Sequence, residues 1–179
     1  AWIDEGDAGE GILTLTVSLS APVAFEVSFT YATLDDTATA EQDYAAKGET
    51  TLTFAPHQTT RWITVPILGD GRTEADETFF VDLLSAANAV VARARATATI
   101  RNDDPEPTVA IEGGSLLEDE GSLALTVRLS RPSDWTVTVD YAAADGSARA
   151  NEDYVPAAGT LTFAPGAVTA TILVRLLDD

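Results

Sequence analysis

The sequence predicts an all-β protein made of two tandem immunoglobulin-like Greek-key sandwiches, the second truncated. Three observations carry this reading. Apolar residues alternate with polar ones along most of the chain, turn residues interrupt the alternation at short intervals, and a long block of sequence occurs twice.

The alternation is clearest in the first half. Leu13, Leu15, Val17 and Leu19 are separated by Thr and Ser. Phe25, Val27, Phe29 and Tyr31 are separated by Glu26, Ser28 and Thr30. Ile63, Val65 and Ile67 continue the pattern, as do Phe79, Val81 and Leu83. A period of two sends one set of side chains into a core and the other into water. Val, Ile, Thr, Phe and Tyr dominate these runs and suit a pleated surface. The Ala-rich stretch from Ala86 to Ala98 has helical composition, but Ala94, Ala96, Ala98 and Ile100 alternate with Arg95, Thr97 and Thr99, so its second half is assigned to a strand. Turns fall at Ala21-Pro22, Asp35-Asp36, Ala55-Pro56 and Gly69-Asp70-Gly71.

The repeat sets the domain boundary. Tyr31-Ala-Thr-Leu-Asp-Asp-Thr-Ala-Thr-Ala-Glu-Gln-Asp-Tyr44 returns as Tyr141-Ala-Ala-Ala-Asp-Gly-Ser-Ala-Arg-Ala-Asn-Glu-Asp-Tyr154. Leu52-Thr-Phe-Ala-Pro56 returns as Leu161-Thr-Phe-Ala-Pro165, and Val17-Ser-Leu-Ser20 matches Val127-Arg-Leu-Ser130. Domains are therefore expected over 1–104 and 105–179, joined at Asn102-Asp-Asp-Pro-Glu-Pro107, where two prolines limit backbone freedom. The second repeat ends at positions that match Gly69-Asp70, so two strands are expected to be missing from it. The first repeat has no match for Thr108-Val-Ala-Ile111 and is expected to lack part of its first strand. With no Met anywhere, the chain reads as a fragment of a longer protein.

Charge narrows the function classes. Ten Lys and Arg stand against 29 Asp and Glu, a formal net charge of −19. Such a surface repels nucleic acid and anionic membrane and attracts cations. No apolar run is long enough to cross a bilayer, so direct membrane insertion is not expected. There is no Cys and a single His, His57, which stands where the other repeat has the turn residue Gly166. A thiol nucleophile is excluded, and no Gly-x-Ser-x-Gly elbow surrounds any Ser, so an enzyme is not expected. Asp43 and Asp153, each before a Tyr, read as turn-forming residues that accept backbone N–H groups, and Tyr44 and Tyr154 as core or corner residues. Trp2, Trp62 and Trp135 read as edge or core-margin residues, with a carbohydrate-binding surface as the alternative.

The acids of the first repeat gather in or beside its turns: Glu5, Asp35, Asp70, Glu74, Glu77, Asp103 and Asp104. Calcium takes six to eight oxygen ligands, mostly carboxylates, from loops of this kind. In a Greek-key sandwich distant loops return to one end. So many carboxylates brought together without a cation would repel one another strongly.

These features together carry a family resemblance. An acidic Glu-Gly-Asp loop is followed by Tyr-Ala-Thr-x-Asp-x-Thr-Ala-x-x-x-x-Asp-Tyr, then Leu-Thr-Phe-Ala-Pro, an Asp-containing turn with Glu-x-x-Glu-x-Phe, and a closing Ile-x-Asn-Asp-Asp. The pattern resembles the Calx-beta domain of sodium/calcium exchangers, an integrin β subunit and large bacterial surface proteins. The resemblance implies a seven-stranded sandwich that holds Ca2+ in loops at one end. It carries Glu5, Asp35, Asp70, Glu74, Glu77, Asp103 and Asp104 over as ligands in the first repeat, with Asn102 opening the closing triplet. In the second repeat it carries over Glu118, Asp145, Asp178 and Asp179, an incomplete set. Gly69, Gly71 and Asn102 replace acids of the exchanger type, which implies fewer ions or weaker binding.

The function expected from the resemblance is a calcium-stiffened structural or adhesive module of an extracellular or cell-surface protein. Its partners would be calcium ions, neighbouring repeats of the same chain, and another protein or a cell-surface glycan. The alternatives are a calcium-sensing domain of a membrane transporter and a carbohydrate- or ice-binding module.

Overall fold

The computed structural model describes residues 1–117 and 121–178, so the proposed ligands Glu118 and Asp179 lie outside the described residues. Twelve strands and no helix are present among them: β1 (Trp2–Asp4), β2 (Gly9–Ser18), β3 (Val27–Asp35), β4 (Thr50–Phe54), β5 (Thr60–Gly69), β6 (Glu77–Ala87), β7 (Arg95–Arg101), β8 (Val109–Ile111), β9 (Ser122–Leu129), β10 (Val137–Ala142), β11 (Ala158–Phe163) and β12 (Thr169–Arg175). The chain forms two compact units. One comprises Ala1–Gly71 and Ala75–Asp104; the other comprises Pro105–Asp179 and the three-residue stretch Arg72–Glu74.

The first unit is a sandwich of a five-stranded sheet, in the order β1-β7-β6-β3-β4, and a two-stranded sheet of β2 and β5. All pairs are antiparallel except β1 on β7, which is parallel. The inward phases of the alternating runs meet in one core. Leu13 and Leu15 of β2 and Ile63, Val65 and Ile67 of β5 pack with Val27, Phe29 and Tyr31 of β3, Phe79 and Val81 of β6, and Ala98 and Ile100 of β7. The Ala-rich run supplies β7 because small residues on a strand admit close sheet packing, and Ala98 is completely buried. Phe25 departs from the expected alternation. It is exposed because β3 begins only at Val27, and the preceding bends release it from the pleat. The three Trp side chains are also more exposed than core-margin residues would be. Trp62 lies on the outward phase of β5, next to the buried Ile63. Trp2 is stacked under the Arg101 guanidinium, 3.6 Å from the ring centre.

The second unit has a three-stranded sheet, β12-β9-β8, and a two-stranded sheet of β10 and β11. Its core is small, centred on Val127, Leu129, Phe163 and Ile172. The stretch Arg72–Glu74 groups with it through Thr73, which is buried. The Thr73 hydroxyl donates to the Pro105 carbonyl at 2.7 Å, and Arg72 pairs with Asp134.

The repeated block has one structural meaning in both units. In the first, the Asp35 Oδ1 accepts the Tyr44 hydroxyl at 2.5 Å and the Ala40 N–H at 3.0 Å. In the second, the Asp145 Oδ1 accepts the Tyr154 hydroxyl at 2.8 Å and the Ala150 N–H at 2.8 Å. Asp43 and Asp153 accept the N–H groups of Thr39 and Arg149, each at 2.6 Å. Glu41 and Asn151 take the same left-handed conformation, φ 67° and 64°, at matching places in this corner. His57 (φ 66°) repeats the left-handed turn of Gly166 (φ 77°) and is exposed.

The corner makes the first unit sensitive to alkali. Burial, and then the hydrogen bond to Asp35, push the Tyr44 hydroxyl well above its ordinary value of 10.0. Above about pH 10 the unfolded chain loses this proton while the folded chain keeps it, so stability falls as pH rises through that window. Tyr44→Phe should be less stable at pH 7 by about 1–3 kcal/mol, from the lost hydrogen bond at a buried site. Its melting temperature should fall less steeply than the parent's between pH 9 and pH 12. Equal slopes for parent and variant would contradict this role.

Candidate metal centre

Strand register brings distant acids to one end of the first unit. β5 ends at Gly69, paired with Gly9 at the start of β2. β6 starts at Glu77, paired with Ile100 near the end of β7, and Asp4 at the end of β1 is paired with Arg101. The loop after β1, the loop between β5 and β6, and the segment after β7 therefore share that end. The corner of the repeated block joins them because the Leu68 N–H donates to the Asp43 carbonyl at 2.9 Å.

Hydrogen bonds fix these loops to one another. The Glu5 N–H donates to the Arg101 carbonyl, and the Gly6 N–H to the Asp103 Oδ1, both at 2.9 Å. The Asn102 N–H donates to the Asp76 Oδ1 at 3.2 Å. Asn102 and Asp104 exchange two further bonds, at 3.2 and 3.3 Å. Asn102 is thus a structural member of the closing triplet, and its amide donates where a carboxylate has no donor. Gly69 has an equally local cause. A Cβ there would lie 2.2 Å from the Gly6 carbonyl oxygen and 2.7 Å from that of Glu5, so no side chain, acidic or otherwise, fits the packing.

The carboxylates in this end are unevenly exposed. Glu5 is only 5 % exposed and Asp104 only 6 %, while Asp70 and Asp103 are exposed. Fully buried acids are rare unless compensated. Glu77 is half-buried and lies beside Asp43, with carboxylate oxygens of the two within 4.8 Å of each other. Two oxygens on one calcium ion, each about 2.3–2.6 Å away, can be up to about 5 Å apart, so this spacing fits a shared hard cation. Oxygen is also the only donor type at this end, as Ca2+ prefers.

Two residues carry contacts that the sequence did not announce. Asp35 lies at this end, paired with Phe79, but its Oδ1 serves the Tyr44 corner. Asp43, read from sequence as a turn residue alone, keeps that turn bond and also faces Glu77. The missing signal was a long-range one, the bond that carries the Asp43 backbone to Leu68 on β5. Glu74 belongs to the stretch that groups with the second unit. In the second unit Asp145 serves the matching Tyr154 corner and Asp178 is exposed. The Leu177 N–H donates to the Asp153 carbonyl at 2.9 Å, repeating the Leu68–Asp43 bond.

Comparison with known proteins follows the repeat. The Calx-beta domain profile matches residues 5–104 and again 102–179. Sodium/calcium exchanger 2 of Rattus norvegicus is 31% identical over 169 residues, covering 83% of this chain and 18% of the exchanger. The extracellular matrix organizing protein FRAS1 of Mus musculus is 28% identical over 186 residues, covering 95% of this chain and 5% of that protein. The chain therefore spans under a fifth of the length of these relatives. Among solved structures, CBD12 from CALX1.2 matches 99% of this chain and 72% of its own at a TM-score of 0.53 and 24% identity, a likeness of fold.

Proposed function

Since the chain belongs to the Calx-beta domain family, we propose that its first unit is a calcium-binding structural module of an extracellular or cell-surface protein, with no catalytic role. Asp43 and Glu77 are the centre of the site, and Glu5 and Asp104 supply the buried charge that a cation offsets. Asp70 and Asp103 complete the ligand set from the adjoining loops of the first unit. Asp43 takes the place that the family pattern gave to Asp35. The observation that carries the reading is the spacing of the Asp43 and Glu77 carboxylates at the end that also buries Glu5 and Asp104.

The ion would bridge loops that are separate in sequence and so stiffen one end of the sandwich. Its removal would leave mutually repelling carboxylates at low solvent exposure. Amide hydrogen exchange tests this directly. Calcium should slow exchange by tenfold or more at residues 5–8, 69–77 and 101–104, and leave the opposite turn at Ala55–Gln58 unchanged. Uniform exchange with calcium and with chelator would remove the stiffening role.

The extracellular reading is supported by the likeness to the matrix protein over nearly the whole chain. The exchanger relatives favour a second reading, a calcium-sensing domain attached to a transporter. Ion flux through the parent protein separates the two, because only the transporter reading predicts a flux that depends on calcium at this site.

A further inference from the structure

We propose that the outer face of the β2–β5 sheet binds a neutral polysaccharide, with the Trp62 indole as the platform for one sugar ring. The inference goes beyond calcium binding and uses none of the calcium ligands. Strand register places the face. Leu13, Leu15, Ile63 and Val65 point into the core, so the residues between them point outward. Thr16 stands opposite Trp62, Thr14 opposite Thr64, and Ile12 opposite Pro66. Trp62 is on β5, on the far side of the pair from the outer edge of β2. A further strand along β2 would widen the sheet and leave this face open.

The indole does not fill a core. It is 60 % exposed, and among the described residues no ring or cation stacks on it, whereas Trp2 lies under Arg101. The repeat makes the same point. Leu52-Thr-Phe-Ala-Pro56 matches Leu161-Thr-Phe-Ala-Pro165, and carrying that match forward sets Trp62 against Thr171. Thr171 stands opposite Thr126 as Trp62 stands opposite Thr16. The strand therefore forms with Thr at this place, and the first unit puts a large aromatic ring there, open to water. Such a ring, apolar on its face and polar at its N–H, is a recurrent anchor of binding surfaces.

The chemistry around the ring selects the ligand. The chain carries 29 Asp and Glu against ten Lys and Arg, yet Ile12, Thr14, Thr16, Trp62, Thr64 and Pro66 are all uncharged. A face without charge offers nothing to an ionic ligand, and the negative field around it repels sulfated or uronic polymers. A neutral sugar has the groups this face can hold. The C–H side of a pyranose packs on the indole, and its hydroxyls exchange hydrogen bonds with Thr hydroxyls, which both donate and accept. By ordinary sheet spacing the Thr16 Cβ stands about 5 Å from that of Trp62, and those of Thr14 and Thr64 about 7–8 Å away. Compact ligands prefer concave sites, whereas this open face runs along two strands and admits a chain of sugars. A protein partner would need a contiguous apolar centre, and here three Thr interrupt the apolar residues.

The test is native affinity electrophoresis of the whole chain in gels containing xylan, mixed-linkage β-glucan, galactomannan or dextran, with polygalacturonate as the acidic control. At least one neutral polysaccharide should retard the chain, and polygalacturonate should not. Trp62→Thr makes the exchange that the second repeat already carries. It should keep the parent's circular dichroism and calcium response and weaken the affinity by roughly tenfold or more. Trp2→Thr and Trp135→Thr, which lie off this face, should each leave it within about twofold. No retardation in any neutral gel overturns the proposal. Retardation that Trp62→Thr leaves unchanged places the sugar elsewhere and overturns it too, as does equal retardation by polygalacturonate. A parent that sediments as a dimer, with a Trp62→Thr variant that does not, gives the face to a second copy and likewise overturns it.

Discussion

Millimolar calcium should raise the melting temperature of the first unit by roughly 10–20 °C. A ligand that binds only the folded state at about a hundred times its Kd stabilises by about 2.7 kcal/mol. A domain near 100 residues gains about 4–8 °C per kcal/mol. The effect is expected to be this large because the apo site holds Glu5 and Asp104 almost out of water and Glu77 against Asp43. Glu77→Gln and Asp104→Asn keep the size of the side chains and remove one negative charge each. Each should lower the calcium-dependent gain by more than half and raise the melting temperature measured in chelator. A gain that survives both substitutions would move the ion away from this end.

Phe79→Ala should cost about 3–5 kcal/mol, a large part of the stability of an ordinary domain. Phe79 is completely buried at the start of β6 and stacks on Tyr44, with ring centres 4.1 Å apart and planes 10° apart. Truncation removes the inner support of the corner that carries Asp43, and leaves a cavity between the sheets. Calcium affinity should fall with it, because the ladder that fixes Asp43 against Glu77 loosens. Urea unfolding of parent and variant, with and without calcium, measures both effects. A cost under about 1 kcal/mol would mean that the corner is held by its hydrogen bonds alone.

The sandwich was legible in the sequence because a strand repeats every second residue and local composition reports that period. β2, β5 and β6 needed no more than their alternation. Phe25 misled because alternation cannot show where a pleat starts, and β3 starts after it. The Ala-rich run was resolved by period rather than by composition, since Ala favours a helix in isolation but Ala96 and Ala98 here pack inward on β7. The corner was half legible. Asp43 and Asp153 announce a turn by standing before Tyr, but the bond from Leu68 that brings Asp43 to Glu77 is between residues far apart in sequence. The grouping of Arg72–Glu74 with the second unit had no local signal, because Thr73 is buried by tertiary packing and not by any pattern around it. Gly69 was read as a lost acid. Its true constraint, the backbone of Glu5 and Gly6 against its Cα, exists only once the loops have met.

The most direct measurement is isothermal titration calorimetry of calcium into the parent chain, into Asp43→Asn and into Asp35→Asn, with magnesium titrated as the control. The parent should bind calcium saturably and magnesium far more weakly, since magnesium demands tighter octahedral geometry than loops of this kind provide. Asp43→Asn should lose at least tenfold in affinity, while Asp35→Asn, whose carboxylate already serves Tyr44 and Ala40, should stay within about threefold of the parent at a temperature where both are folded. No calcium heat from the folded parent, or a larger loss from Asp35→Asn than from Asp43→Asn, would contradict the site.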